Sequence, residues 1–274
     1  MGISMVRNLA KQGLLATIWN RSEGVAANVA EELGVVHADS PADLARQIDV
    51  LLTCVSADSD VIDVIERVLP GLDKGNVVVD ISTVSCETAK QVARILATKS
   101  VHFLDAPVSG GTEGAKNGTL AMMIGGDEAV LNRVRPILNA LTSRIMYMGD
   151  VGNGQGTKAV NQVMAAGINQ AVTEALAFGE AQGLAMDKVI EVISEGAAGN
   201  WFLNHRGSTM TQGEFAPGFK IALHHKDLMI CKKSAQNLNM ALPLAEMTLD
   251  HYKTLIKSGY GNEDISALYR IKKP

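Results

Sequence analysis

Between Leu14 and Gly149 short runs of Val, Ile and Leu alternate with stretches whose apolar residues recur three or four apart. The runs Leu14 to Trp19, Val50 to Val55, Val77 to Ile81, Val101 to Asp105, Leu120 to Ile124 and Ile145 to Met148 are predicted strands. Between them, Val61-Ile62, Val64-Ile65 and Val68-Leu69, then Ala89, Val92-Ala93 and Leu96, carry helical spacing. Strands that are apolar almost throughout are covered on both faces, and strands alternating with helices run mostly parallel. The expected fold of this part is α/β, a doubly wound and mostly parallel sheet.

From Gly154 onward no strand-like run follows. Thr157 to Gln182 is free of proline and repeats apolar residues at Val160, Val163, Met164, Ile168 and Ala171, which predicts one long helix with a single apolar stripe. At 1.5 Å per residue such a helix of about 25 residues spans close to 40 Å. Further helices are predicted at Asp187 to Ser194, His224 to Asn237 and Leu242 to Ser258. The boundary is placed at Gly152-Asn153-Gly154, giving an α/β domain over 1–152 and an all-helical domain over 153–274 that begins with the long interdomain helix. A long apolar stripe asks for a partner, so a homodimer or homotetramer is expected.

Composition narrows the function classes. With 274 residues, 47% hydrophobic and 20% charged, the chain has ample core-forming material. No apolar run reaches the roughly 18 residues of a membrane helix and the start lacks a secretory signal, so a cytoplasmic protein with no membrane partner is expected. A net charge of -4 without a Lys/Arg run excludes the footprint of a nucleic-acid binder. Cys54, Cys86 and Cys231 are odd in number and far apart, which fits neither a disulfide framework nor a CxxC metal site.

Four segments carry candidate chemistry. In Asp105-Ala106-Pro107-Val108-Ser109-Gly110-Gly111-Thr112-Glu113-Gly114-Ala115, the Ser109 hydroxyl and the open backbone of Gly110 and Gly111 suit a small carboxylate. In Gly152-Asn153-Gly154-Gln155-Gly156-Thr157-Lys158-Ala159-Val160-Asn161-Gln162, Lys158 and Asn161 lie three apart and share a helical face. The chain opens Met1-Gly2-Ile3-Ser4-Met5-Val6-Arg7-Asn8-Leu9-Ala10-Lys11-Gln12-Gly13, and near its end reads Phe219-Lys220-Ile221-Ala222-Leu223-His224-His225-Lys226-Asp227-Leu228. His224 and His225 are adjacent, point in different directions on a helix and lack an accompanying ligand set, so no metal is expected.

Over essentially its whole length the chain resembles the 3-hydroxyisobutyrate dehydrogenase family, the β-hydroxyacid dehydrogenases that include tartronate semialdehyde (2-hydroxy-3-oxopropionate) reductase. Its start looks like the end of the family's Gly-Leu-Gly-x-Met-Gly fingerprint, with Gly2 as the remaining glycine, followed by the first helix. The resemblance implies a Rossmann-type sheet and hydride transfer between NAD(P) and a small 3-hydroxyacid or its semialdehyde. It implies Lys158 as the proton-transfer residue and Asn161 on the substrate oxygen, with Ser109, Gly110 and Gly111 on the carboxylate. It also implies Val55, Ser56 and Thr83 beside the ribose and nicotinamide, and Lys226 reaching over the cofactor. The family's first strand, normally central in the sheet, and its first two glycines have no counterpart. A start placed at an internal methionine is the preferred reading and truncation the alternative, and without that strand the sheet loses its middle.

Trp19-Asn20-Arg21-Ser22 ends a predicted strand without the carboxylate that would bind the ribose hydroxyls of NAD. Arg21 and Ser22 can grip a phosphate, so NADP is preferred and NAD is the alternative. Within the enzyme class an NADPH-dependent glyoxylate or succinic semialdehyde reductase stays open, and from a different class a non-catalytic scaffold built on the same fold.

Overall fold

The computed structural model describes residues 1–22 and 24–273. Contacts divide the chain into two compact units, the first ending at Lys158 and the second starting at Ala159. The first unit runs α1 (Gly2–Lys11), β1 (Thr17–Ile18), α2 (Val25–Leu33), β2 (Val36–His37), α3 (Pro41–Ala45), β3 (Val50–Thr53), α4 (Asp58–Val68), β4 (Val77–Asp80), α5 (Cys86–Ala97), β5 (His102–Asp105), β6 (Val108–Ser109), α6 (Gly111–Asn117), β7 (Leu120–Gly126), α7 (Glu128–Leu138) and β8 (Thr142–Tyr147). α8 (Asn153–Ala181) begins in this unit and continues into the second, which adds α9 (Met186–Ser194), α10 (Trp201–Thr211), α11 (Ile221–Asn237), α12 (Pro243–Lys257) and the short α13 (Tyr269–Lys272).

Alternation along the strands explains the doubly wound layers. In β4 all four side chains are buried; Val77 and Val79 join a core with Met5 and Leu9 of α1, while Val78 joins one with Val61, Ile65, Val92 and Leu96 of α4 and α5. Leu104 and Phe103 of β5 separate in the same way. Residues two apart share a face and neighbours oppose, so a continuous apolar strand must be sandwiched. β3, β4 and β5 pair in parallel, Val50 opposite Val77 and Val77 opposite His102. β7 pairs antiparallel with β5 and with β6, and β8 pairs parallel with β7, so the sheet is mixed at this end.

β1 and β2 form a separate parallel pair, Thr17 opposite Val36 and Ile18 opposite His37. Among the described residues no ladder joins β1 to β3, so this pair and the sheet holding β3 are separate. Two short strands, Val36–His37 and Val108–Ser109, lack the length to show in the hydrophobic pattern. The first predicted strand, Leu14 to Trp19, is reduced to two residues.

In the second unit part of the apolar stripe expected on α8 faces outward, and much of the buried face is polar. Val160 and Met164 are 64% and 62% exposed, whereas Gln162, Asn169, Gln170 and Thr173 are buried with Ala166, Leu176 and Ala177. On the buried face the amide nitrogens find partners, Asn169 Nδ2 donating to the Tyr252 hydroxyl and to the Ile265 carbonyl, both at 2.9 Å, and Gln170 Nε2 to Thr248 Oγ1 at 3.1 Å, while Asn169 Oδ1 and Gln170 Oε1 have no hydrogen-bond partner among the described residues. A buried amide with its bonds made costs little; the same amide unpaired costs a few kcal/mol. Tyr252, Tyr269, Phe202, Leu203 and Leu249 fill the surrounding core.

Candidate functional site

The carboxyl ends of β3 and β4 are tied together. Thr53 Oγ1 donates to Asp80 Oδ1 at 2.8 Å, the backbone N–H of Ser82 donates to the same oxygen at 3.2 Å, and the N–H of Val55 donates to Ser82 Oγ at 2.9 Å. The loop that follows is held at its far end, where Asp58 Oδ1 accepts from the Ser85 N–H at 2.9 Å and Ser85 Oγ caps α5 by accepting from the Thr88 N–H. Val55 and Thr83 therefore sit on loops whose backbone is fixed. In open parallel sheets ligands lie just beyond such strand ends.

A cavity of about 240 Å³ opens there, lined among others by Trp19, Asn20, Arg21, Ser22, Val55, Ser56 and Asp60. Five predicted cofactor residues, Asn20, Arg21, Ser22, Val55 and Ser56, thus come together, although β1 and β3 share no ladder. Arg21 Nη1 lies 2.7 Å from Asp60 Oδ1, its guanidinium largely exposed. Asn20 Nδ2 donates to the Ser22 carbonyl at 3.3 Å, which rounds the turn. Gly2 and Thr83 are not among the residues lining this cavity. Gly2 opens α1, whose N-terminus has no side-chain cap, and a Cβ on Gly2 would meet nothing within 4 Å. An uncapped helix N-terminus, a cavity at the strand ends and a guanidinium at its rim fit an anionic dinucleotide.

Ser109 ends β6 opposite Ala121 of β7, and the chain then turns sharply into α6. Gly110 has φ +127° and Gly111 φ +61°, in the region that L side chains avoid, so the two glycines are what let a strand pass directly into a helix here. Their backbone stays uncovered by a Cβ beside the Ser109 hydroxyl, and the three predicted carboxylate-binding residues form one turn.

Lys158 is buried, 7% exposed, near the start of α8. Two side chains anchor that start. Asp105 accepts the Gly152 N–H through Oδ1 at 2.7 Å and the Gln155 N–H through Oδ2 at 2.9 Å. Gln155 Nε2 donates to the Ser82 carbonyl at 2.8 Å, and its Oε1 accepts from the Val84 N–H at 3.1 Å. The helix carrying Lys158 is thereby registered against the loop carrying Thr83. Burial pushes the Asp105 carboxyl above the usual carboxylate range, opposed by the N–H groups of Gly152 and Gln155.

In the second unit, Asn161 Nδ2 donates to Gln162 Oε1 at 2.8 Å, Gln162 Nε2 donates to Asp227 Oδ2 at 2.6 Å, and Lys226 Nζ lies 2.7 Å from Asp227 Oδ1. Asn161 and Lys226, predicted for different ligands, thus meet one carboxylate, Asn161 by way of Gln162. His224 engages the Tyr252 hydroxyl at 3.0 Å and the Gln162 carbonyl at 3.2 Å with its two ring nitrogens. The sequence reading missed Asp80, Asp105, Gln155, Gln162 and Asp227 as parts of this framework. For Asp80 and Asp105 a signal was available, an acidic residue closing an otherwise apolar strand.

Comparisons with known proteins show the family. Residues 1–149 match the family model described as the NAD binding domain of 6-phosphogluconate dehydrogenase, and residues 152–272 match the one described as NAD-binding of NADP-dependent 3-hydroxyisobutyrate dehydrogenase. The chain is 38% identical to an uncharacterized oxidoreductase of Shewanella frigidimarina, over 100% of this chain and 95% of that protein. It is 35% identical to 2-hydroxy-3-oxopropionate reductase of Escherichia coli, over 98% and 92%. Among solved structures, 3-hydroxyisobutyrate dehydrogenase of Mycobacterium tuberculosis with L-serine superposes with a TM-score of 0.89 at 30% identity, over 100% of this chain and 96% of that one.

Proposed function

We propose that this chain, which belongs to the 3-hydroxyisobutyrate dehydrogenase family of NAD(P)-dependent oxidoreductases, interconverts a small 3-hydroxyacid and its semialdehyde with Lys158 as the proton-transfer residue. The observation that carries the reading is the burial of Lys158 on a helix start fixed by Asp105 and Gln155. A solvated surface lysine needs no such anchoring. Bound NAD(P) supplies the hydride chemistry. Lys158 gives a proton to the substrate oxygen in reduction and removes it from the hydroxyl in oxidation. Asn161 holds that oxygen, while Ser109, Gly110 and Gly111 hold the carboxylate and so limit the poses of the reacting carbon.

Gly2, Asn20, Arg21, Ser22, Val55, Ser56, Thr83 and Lys226 are the proposed cofactor residues. Arg21 at the cavity rim, with no carboxylate at Asn20, supports NADP over NAD. The first unit is proposed to bind the dinucleotide and the helical one to carry substrate selection and self-association. Exposed Val160, Met164 and Phe178 on α8 support a homo-oligomer. Among the described residues no helix is long and apolar enough to cross a membrane, and all three cysteines are free, which supports a cytoplasmic site.

The test is NADPH and NADH oxidation with a panel of short semialdehydes, by the chain and by its Lys158→Ala variant. Turnover lost in the variant supports the reading. Turnover retained by Lys158→Ala, or dinucleotide binding without turnover of any panel member, overturns the role of Lys158 or the substrate class respectively.

A further inference from the structure

Asn161 enters the site through an amide, and an amide has two unlike ends. The Asn161 side chain is half-buried, and its neighbour Gln162 is 2% exposed beside Asp227 at 4%. An ionised carboxylate accepts hydrogen bonds and donates none. The end of Gln162 that meets Asp227 Oδ2 at 2.6 Å is therefore the amide nitrogen, and Gln162 Oε1 is left for Asn161, whose Nδ2 donates to it at 2.8 Å. The backbone carbonyl of Gln162, not its side-chain amide, is engaged by His224, itself held by Tyr252, which fixes the main chain from which the Gln162 side chain extends. The counter-charge on Asp227 is the ammonium of Lys226, 2.7 Å from the other oxygen.

We propose that Asp227 is a positioning residue that sets the hydrogen-bond polarity of Asn161 through Gln162. One N–H of Asn161 is committed to Gln162, and a ligand meets Oδ1 and the second N–H. Resting on the reading that Asn161 holds the substrate oxygen, this orientation serves both redox states. A hydroxyl donates to Oδ1, and an aldehyde oxygen accepts from the remaining N–H. An amide free to flip would offer the wrong end to each part of the time.

The test uses side-chain amide ¹⁵N–¹H spectra of the full, ligand-free chain, with the Asn161 and Gln162 signals assigned by their loss in Asn161→Asp and Gln162→Met. In the parent protein one proton of each amide is expected shifted and slow to exchange. Asp227→Asn keeps the shape but can donate as well as accept, so the Asn161 signals should move or double and exchange at least about tenfold faster, the factor that corresponds to one ordinary hydrogen bond. Lys226→Met, acting on the other carboxylate oxygen, should move them far less. Unchanged Asn161 signals in Asp227→Asn, or an equal change in Lys226→Met, overturns the relay. With a turned-over semialdehyde, Asp227→Asn and Gln162→Met should each raise KM about tenfold more than they lower kcat, and the double variant no further than either alone; additive effects overturn it. The spectra need no turnover, so a chain that reduces none of the panel refutes the proposed activity and still tests the relay.

Discussion

The carboxylate of Asp105, at the end of β5, accepts the backbone N–H of Gln155 at 2.9 Å, fifty residues further along the chain. Together with the Gly152 N–H on its other oxygen, this makes a strand-end side chain the cap of α8. Asp105 is fully buried, so the N–H groups it serves have no water to fall back on. Asp105→Ala is expected to lower stability by about 2–4 kcal/mol through the loss of buried charge-assisted bonds. Because Lys158 sits one turn further on, kcat/KM should fall by about 100-fold from misplacement alone. Denaturant unfolding alongside steady-state kinetics checks both, and a stability loss with unchanged kcat/KM would show that the cap does not position Lys158.

Two glycines of the same turn give opposite expectations. A Cβ on Gly154 would stand 2.5 Å from the Met123 carbonyl oxygen, 2.7 Å from that of Asp105 and 2.8 Å from Asp105 Oδ2, so backbone must move. Gly154→Ala should cost about 1–3 kcal/mol and activity with it. Gly156, two residues on, meets only Cys86 Sγ, at 3.8 Å, and lies within the helix. Gly156→Ala should be stabilising by about 0.5–1 kcal/mol through reduced chain entropy. Thermal melts of the two variants separate the cases, and a matching loss in both would count against the close approach.

The layers of the α/β unit were legible because its strands are apolar on both faces, as in Val77-Val78-Val79, and a sandwiched strand leaves that mark wherever it lies in the sheet. Arg21 and Val55 were legible for a similar reason: they follow strand ends, and strand ends in such sheets converge. The long helix was found, but which polar residues face inward along it was not legible. Apolar periodicity marks a surface that avoids water, and Val160 and Met164 are instead exposed in the single chain, while Gln162, Asn169 and Gln170 go inward because Asp227, Tyr252 and Thr248 are there to receive them. Those partners lie 65 or more positions away, beyond the reach of local pattern.

Cofactor choice is expected to turn on Arg21. Its guanidinium pairs with Asp60 at the rim of the cavity, an exposed pair that contributes little to folding and is easily exchanged for a phosphate. Arg21→Ala should raise KM for NADPH by about 10–100-fold, one to two charge-assisted bonds, and leave that for NADH within about threefold. Asp60→Asn, which frees the guanidinium, should lower KM for NADPH. Equal effects on the two dinucleotides would remove Arg21 from the recognition of the extra phosphate.

Asp80 gives an expectation in pH. It is buried at the end of β4; Oδ1 is shared by Thr53 and Ser82, while Oδ2 has no hydrogen-bond partner among the described residues. Desolvation pushes its carboxyl above the usual carboxylate range, against the hydrogen bonds from Ser82 and Thr53. A folded-state value above the unfolded one means that the folded chain binds this proton more tightly. The group's favourable contribution is then complete below the unfolded value, near 3.9, and is lost as pH rises through the folded value. Asp80→Asn keeps an acceptor for Thr53 and Ser82 without the buried charge, so at pH 7 it should be more stable than the parent by about 1 kcal/mol, a shift in Tm of about 2–4 °C. The difference should shrink as pH falls through the folded value, where the folded parent's carboxyl takes up its proton, and level off below the unfolded value near 3.9. Melting curves of both proteins between pH 7 and pH 4 decide it: a Tm difference that does not change with pH would show that the buried carboxylate of Asp80 carries no such electrostatic cost.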